Sequence, residues 1–104
     1  MPDPVLEKSR AAVAEHFGDR LERIVLFGSR ARGDARADSD YDIAIFVQDL
    51  GNRWRDFAGI APVAVDLLDE DDAAVSAMLY SAGHWRDPPS RLIHEIRKDG
   101  LEST

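Results

Sequence analysis

The chain has 104 residues, of which 44% are hydrophobic and 32% are charged, and its formal net charge at pH 7 is −7. This length predicts one domain, residues 1–104. The acidic net charge argues against non-specific binding of nucleic acid, because such binding needs a basic surface. The same charge allows a basic protein partner. The lack of cysteine excludes disulfide bonds and thiolate metal sites, and the lack of an N-terminal apolar segment predicts a cytoplasmic protein with no signal peptide and no membrane span.

The first elements are a predicted helix and a predicted strand. Asp3 and Pro4 form a typical helix start, and Gly18 is a typical helix stop. Apolar residues recur between them at helical spacing. The first strand is predicted at residues 21–27, because its second half, residues 24–27, is continuously apolar, as in strands that are buried on both faces.

The turn after this strand is rich in small and basic residues. Gly28 allows a sharp turn or the close approach of a ligand, and Ser29 can cap a following helix whose free N–H groups attract phosphate. The cluster Arg30, Arg32 and Arg36 lies within seven residues of an acidic chain. These arginines suit a polyphosphate, and the alternative is that they pair with nearby aspartates at the surface.

A second apolar strand is predicted at residues 41–47, and the D-x-D pair of Asp40 and Asp42 lies at its start. Strand alternation places Asp40 and Asp42 on the same face. Two adjacent carboxylates raise each other's pKa unless a cation lies between them, and Mg²⁺ typically takes one or two carboxylates plus phosphate oxygens and water. The pair therefore suits a Mg²⁺–nucleotide complex, with an ordinary Asp-rich turn as the alternative.

A third candidate carboxylate lies in the second half of the chain. Residues 53–60 predict a short helix in which Trp54 packs in the core or at its rim, and Pro62 is expected to start a third strand. Asp66 lies in the middle of that strand, among apolar residues, where an aspartate is disfavoured. It is a candidate metal ligand or general base, and solvent exposure on an edge strand is the alternative.

Two helices and a tail are predicted after the third strand. A helix is expected from Glu70 to about Tyr80, because acidic residues in a first turn complement the helix dipole. A loop at residues 83–85 leads to a last helix that ends at Gly100. Residues 101–104 are expected to be loose or to form a strand completed by a partner. The inward side chains of the two helices are predicted to be Val75, Met78, Leu79, Leu92, Ile93 and Ile96.

The stretch from Gly28 to Asp42 resembles a known signature. It matches the G-S-x(10)-D-x-D pattern of the DNA polymerase β-like nucleotidyltransferase superfamily, and it is most similar to the MNT-type minimal nucleotidyltransferases. The resemblance implies an α/β (α+β) fold, with a small mixed sheet of three to four strands flanked by helices. The matching positions are Gly28, Ser29, Ala31, Arg32, Gly33, Ser39, Asp40 and Asp42.

The resemblance also implies roles for these residues in a two-metal nucleotidyl transfer. Asp40 and Asp42 would hold a nucleotide-bound Mg²⁺, and Asp66 would complete a second metal site and take the proton of the acceptor hydroxyl. The small-residue turn would hold the phosphates of ATP, with arginine as a charge clamp. The residues implied to bind the nucleotide are Gly28, Ser29, Arg30, Arg32 and Ser39.

MNT-type proteins of this size resemble antitoxins that act on HEPN-domain ribonuclease toxins. The resemblance implies transfer of AMP from ATP, with Mg²⁺, to a tyrosine of the toxin. A chain of this length is expected to borrow its acceptor site from that partner. Two alternatives stay open at this stage: an antitoxin that inhibits its partner by contact alone, and an acidic α/β domain that binds no nucleotide.

Overall fold

The fold is centred on a four-stranded sheet, seen in a computed structural model that describes residues 4–28, 33, 40–51, 54–62 and 74–103. A single 3₁₀ turn, Gly18–Arg20, connects the first helix to the first strand. Among the described residues, no helix is long and apolar enough to cross a membrane. The helices are α1 (Pro4–Phe17), α2 (residues 54–62), α3 (Gly83–Arg86) and α4 (Arg91–Asp99), and the strands are β1 (Leu21–Phe27), β2 (Tyr41–Val47), β3 (Val75–Ser81) and β4 (Leu101–Ser103).

The sheet is mixed, with the strand order β3-β2-β1-β4. Strand β1 pairs antiparallel with β2 and with β4, whereas β2 and β3 are parallel. Parallel neighbours need a crossover connection of a dozen or more residues, and the connection from β2 to β3 includes α2. The predicted fold, a mixed sheet of three to four strands flanked by helices, is confirmed.

The two faces of the sheet form separate hydrophobic clusters. One face packs against α1, where Ile43 and Ile45 of β2 meet side chains such as Val13. The other face packs against α4, where Ala44 and Phe46 of β2 meet Ile93 and Ile96. Strand β2 is therefore buried on both sides over residues 43–47, in keeping with the continuous apolar run there.

An aromatic cluster closes the α4 face around Phe46. The ring of Phe46 lies 5.4 Å from that of Tyr80 and 5.3 Å, edge to face, from that of Trp85. The guanidinium of Arg23 lies 4.3 Å from the Trp85 ring and pairs with Glu102 of β4 at 3.0 Å. This contact gives Trp85 a structural role and connects the last strand to the helix side of the sheet.

The helix predicted up to Tyr80 is wrong over residues 75–81, which form strand β3. Val75 and Leu79 fit a helical stripe, but Val75, Ala77 and Leu79 also alternate with period two. Parallel pairing with β2 selects the extended conformation over the helical one. This pairing begins with the hydrogen bond that the N–H of Tyr41 donates to the carbonyl of Ala74, at 2.8 Å. Residues 83–85, predicted as a loop, lie in the single helical turn α3.

Four smaller predictions also change. Trp54, predicted to pack in the core or at its rim, is 83% exposed, because the buried side chain of α2 is Ile60. Pro62 lies in α2 and does not start a strand. Leu92 is 43% exposed, since Ile93 and Ile96 make the inward contacts of α4. Residues 101–103 pair with the free edge of β1 in the same chain, so they are not loose, and the strand that they form is completed within the chain.

Arg20 links several elements at the lower end of the sheet, where β1 begins and β2 ends. Its guanidinium donates to both oxygens of Asp56 in α2, at 2.8 and 3.3 Å, and to the carbonyls of Gln48 and Asp49, each at 3.2 Å. The hydrogen bond from Arg20 lowers the pKa of the Asp56 carboxyl. The Asp56 side chain is 13% exposed and the Arg20 side chain is 37% exposed, so the pair is only partly buried.

Replacing Ile96 by alanine is expected to reduce the free energy of unfolding by about 2–5 kcal/mol, because it leaves a cavity under α4. The matched control is Leu92→Ala in the same helix, which is expected to change stability by about 1 kcal/mol or less, since much of that side chain already contacts water. Urea denaturation followed by circular dichroism measures both. Equal losses in the two variants would contradict the assigned packing of α4.

The Arg20–Asp56 pair predicts a dependence of stability on pH. Because the folded-state pKa of Asp56 is lowered, its contribution is complete above the unfolded-state pKa of about 3.9 and is lost as the pH falls through the folded-state value. Wild type should exceed Asp56→Asn in urea midpoint at about pH 7, and the gap should shrink below about pH 3. The exposed Asp87 provides the control Asp87→Asn, which should differ little from wild type at about pH 7. A gap that widens in acid would refute this role of the pair.

Candidate functional site

The candidate site lies at the upper end of the sheet, where β1 ends and β2 begins. The antiparallel register places Phe27 opposite Asp42. Gly28 follows Phe27 directly, and Asp40 precedes β2 as an exposed residue. Strand pairing therefore brings the glycine turn and the D-x-D pair to the same corner, although they lie more than ten residues apart in the chain.

Gly28 lies against the carboxylate of Asp42, where an added side chain would displace that carboxylate. Its φ angle is +76°, a left-handed conformation that residues with a Cβ rarely adopt. A Cβ atom at this position would lie 2.5 Å from Oδ2 of Asp42. The glycine thus supplies both the backbone conformation and the space that the carboxylate occupies.

Asp42 lies in a setting that disfavours its negative charge. Burial raises the pKa of its carboxyl above the usual value, and the charge of Asp40 raises this pKa further. A bound cation would reverse both effects. Within the part of the chain that the structure describes, no three acidic or histidine side chains could hold a metal ion together. The two carboxylates fit the usual needs of Mg²⁺, which completes its ligands with phosphate oxygens and water.

A cleft of about 180 Å³ opens beside Gly28 on the α4 face. Its lining includes Phe27, Leu92 and the carboxylates of Glu95 and Asp99. These carboxylates disfavour a polyphosphate inside the cleft, because like charges repel. A larger cleft of about 590 Å³ lies near Arg20 and Asp56, at the opposite end of the sheet from the D-x-D pair.

The structure brings together three of the predicted site residues: Gly28, Asp40 and Asp42. Their positions follow from the ends of β1 and β2, and Asp42, Ala44 and Phe46 share a face of β2 as strand alternation predicts. The other predicted site residues lie outside the described part of the chain. They are Ser29, Arg30, Arg32, Ser39 and Asp66.

One residue beside the site was missed by the sequence analysis. Ser76 of β3 is the register partner of Asp42 on the neighbouring strand. It was placed in a predicted helix, where it had no relation to Asp42. The period-two alternation of Val75, Ala77 and Leu79 was the available signal, but it became decisive only through pairing with β2.

Residues 12–101 match the family model for polymerase beta nucleotidyltransferases. The chain belongs to this family. It is therefore an enzyme of the nucleotidyltransferase class, and the resemblance carried by the glycine turn and the D-x-D pair is confirmed.

Known proteins similar to this nucleotidyltransferase include a curated relative and solved structures. It is 35% identical over 98 residues to "Putative protein adenylyltransferase MJ0141" of Methanocaldococcus jannaschii, with 94% of each chain covered. It is 25% identical to a chain in a crystal structure of a toxin–antitoxin with AMP-PNP, with a TM-score of 0.62, covering 92% of this chain and 70% of that chain. A crystal structure of "a putative nucleotidyltransferase from Sulfolobus solfataricus" has the same fold, with a TM-score of 0.62, 22% identity, and coverage of 94% of this chain and 78% of that chain.

Gly28→Ala is expected to abolish nucleotidyl transfer, because the new methyl group and the carboxylate of Asp42 compete for one space. Gly18→Ala is the matched control: its φ angle is +58°, so it carries similar backbone strain of about 1–2 kcal/mol, but nothing lies within 4 Å of its added Cβ. Both variants should lose similar stability in thermal denaturation. Only Gly28→Ala should lose transfer, and equal activities would refute the importance of this contact.

Proposed function

We propose that this nucleotidyltransferase is a Mg²⁺-dependent protein adenylyltransferase and an antitoxin. As a single domain over residues 1–104, it transfers AMP from ATP to a tyrosine hydroxyl of a HEPN-type toxin in the cytoplasm. The observation that carries the proposal is the corner at which Gly28 lies against Asp42 and Asp40 lies next to it.

The chemistry of this corner supports transfer from a nucleoside triphosphate. Asp40 and Asp42 present carboxylate oxygens to a divalent cation, and Gly28 leaves the space that the carboxylate of Asp42 needs. Mg²⁺, when bound, neutralises phosphate charge and makes the α-phosphorus a better electrophile. The acceptor oxygen then forms a bond to the α-phosphorus, the bond to the β-phosphate oxygen breaks, and pyrophosphate leaves while the acceptor proton passes to a base.

We propose the remaining nucleotide contacts from the family signature. Ser29 binds the phosphates with Gly28, Arg30 or Arg32 neutralises their charge, and Ser39 positions the turn before Asp40. Asp66 is proposed as the base and as a ligand of a second cation. These residues lie outside the described part of the chain, so mutagenesis must test their roles.

The choice of acceptor rests on three further observations. The relative from Methanocaldococcus jannaschii is named a protein adenylyltransferase, and a solved structure with the same fold comes from a toxin–antitoxin. The net charge of −7 favours a protein partner with basic surface and disfavours direct binding of nucleic acid. A toxin that acts on RNA needs a basic surface and so fits an acidic partner. The tyrosine acceptor and the HEPN identity of the toxin are taken from the MNT resemblance.

Intact mass spectrometry of the candidate toxin, incubated with this chain, ATP and Mg²⁺, should show a gain of one or more AMP units. Asp42→Asn should abolish the gain, because it removes a ligand charge with little change in size. The control Asp87→Asn removes an exposed carboxylate away from the site and should transfer AMP normally. Peptide mapping should locate the AMP on tyrosine.

Two outcomes would overturn this proposal. Undiminished transfer by Asp42→Asn would remove the D-x-D pair from the mechanism. An unmodified toxin that is nevertheless inhibited in a tight complex would show that the protein acts by binding alone.

A further inference from the structure

Ser76 is the nearest neighbour of Asp42 on strand β3. The two strands run parallel, and the two residues are Cα partners in the register. Neighbouring strands lie about 4.8 Å apart, and partnered side chains project from the same side of a sheet. The hydroxyl of Ser76 thus stands beside the carboxylate of Asp42.

The packing of the two strands identifies the shared face. Ile43 and its partner Ala77 both pack on the α1 side, whereas Phe46 and its partner Tyr80 both pack on the α4 side. Side chains alternate along each strand. Asp42, four residues before Phe46, and Ser76, four residues before Tyr80, consequently both lie on the α4 side.

Solvent exposure on the α4 side of the sheet increases towards the upper end of the strands. Phe46 is fully buried in the aromatic cluster, but Met78 is 39% exposed and Ser76, at the upper end, is exposed. Across the sheet, Asp42 has Phe27 on one side and Ser76 on the other. Of these two flanking residues, Ser76 alone has a polar side chain that could contact a ligand of Asp42.

We infer that Ser76 is a further residue of the cation–nucleotide site, placed where its hydroxyl meets a phosphate oxygen or a cation-bound water. The inference rests on the proposed function. A serine hydroxyl can donate to a phosphate oxygen or accept from a cation-bound water, but it adds no negative charge. Among the described residues at the upper end of β1, β2 and β3, the carboxylates are those of Asp40 and Asp42.

The test compares Ser76→Asp with Ser76→Asn, which have nearly equal size and differ in charge. Thermal denaturation is followed during titration with MgCl₂ in the presence of AMP-PNP. Ser76→Asp should reach half of its stabilisation at a Mg²⁺ concentration about tenfold lower than wild type, because ligand charge sets affinity for hard cations. Ser76→Asn should stay close to wild type. Equal Mg²⁺ midpoints for the two variants would overturn the inference.

A second measurement separates this inference from the proposed function. Without Mg²⁺, Ser76→Asp should melt below Ser76→Asn, since the new carboxylate repels Asp42. The difference should disappear when both variants also carry Asp42→Asn. If wild type shows no Mg²⁺-dependent stabilisation by AMP-PNP, the proposed function fails, yet this coupling would still place Ser76 beside Asp42. Absence of the coupling would refute that placement.

Discussion

The antiparallel pairing of β1 with β2 is the constraint on which the rest of the site depends. It places the end of one strand beside the beginning of the next, so that Gly28 and Asp42 touch. A shift of this register by one residue would turn Asp42 towards the α1 side, because side chains alternate along a strand. The buried side chains of β2 on both faces prevent such a shift.

Helices on both faces of the sheet hold this register and determine where the site opens. Helix α4 and the aromatic cluster cover the face around Phe46 but not its upper end. Asp42 lies at the boundary, where it is buried enough for its pKa to rise and near enough to solvent to meet a ligand. A carboxylate in this position is costly to charge alone, which favours its pairing with a cation.

Sequence analysis could predict the parts of the site that depend on local geometry. The D-x-D pair and the glycine turn adjoin apolar runs that predict strands, and strand alternation places Asp40 and Asp42 on one face. That the two motifs meet at one corner of the sheet depends on the pairing of β1 with β2. Residues 75–81 fit both a helical and an extended period, and long-range pairing with β2 made the choice. For this reason Ser76 could not be related to Asp42 before the fold was known.

The other differences between prediction and structure have the same physical origin. Trp54 and Leu92 are apolar and lie in helices, but a surface helix buries only the side chains on the face that packs against the protein. Residues 101–103 gain a strand because the edge of β1 offers unpaired N–H and carbonyl groups. In each case, a partner distant in sequence determined the result.

The separation of the two hydrophobic clusters by the sheet has a consequence for the evolution of this enzyme. Side chains such as Val13 and Phe17 belong to the α1 cluster, whereas Asp42 and Ser76 lie on the opposite side of the sheet. Mutations without shared contacts usually have additive effects on free energy. Substitutions in the α1 cluster that keep the register of β1 and β2 can therefore adjust thermal stability with little effect on the chemistry at Asp42.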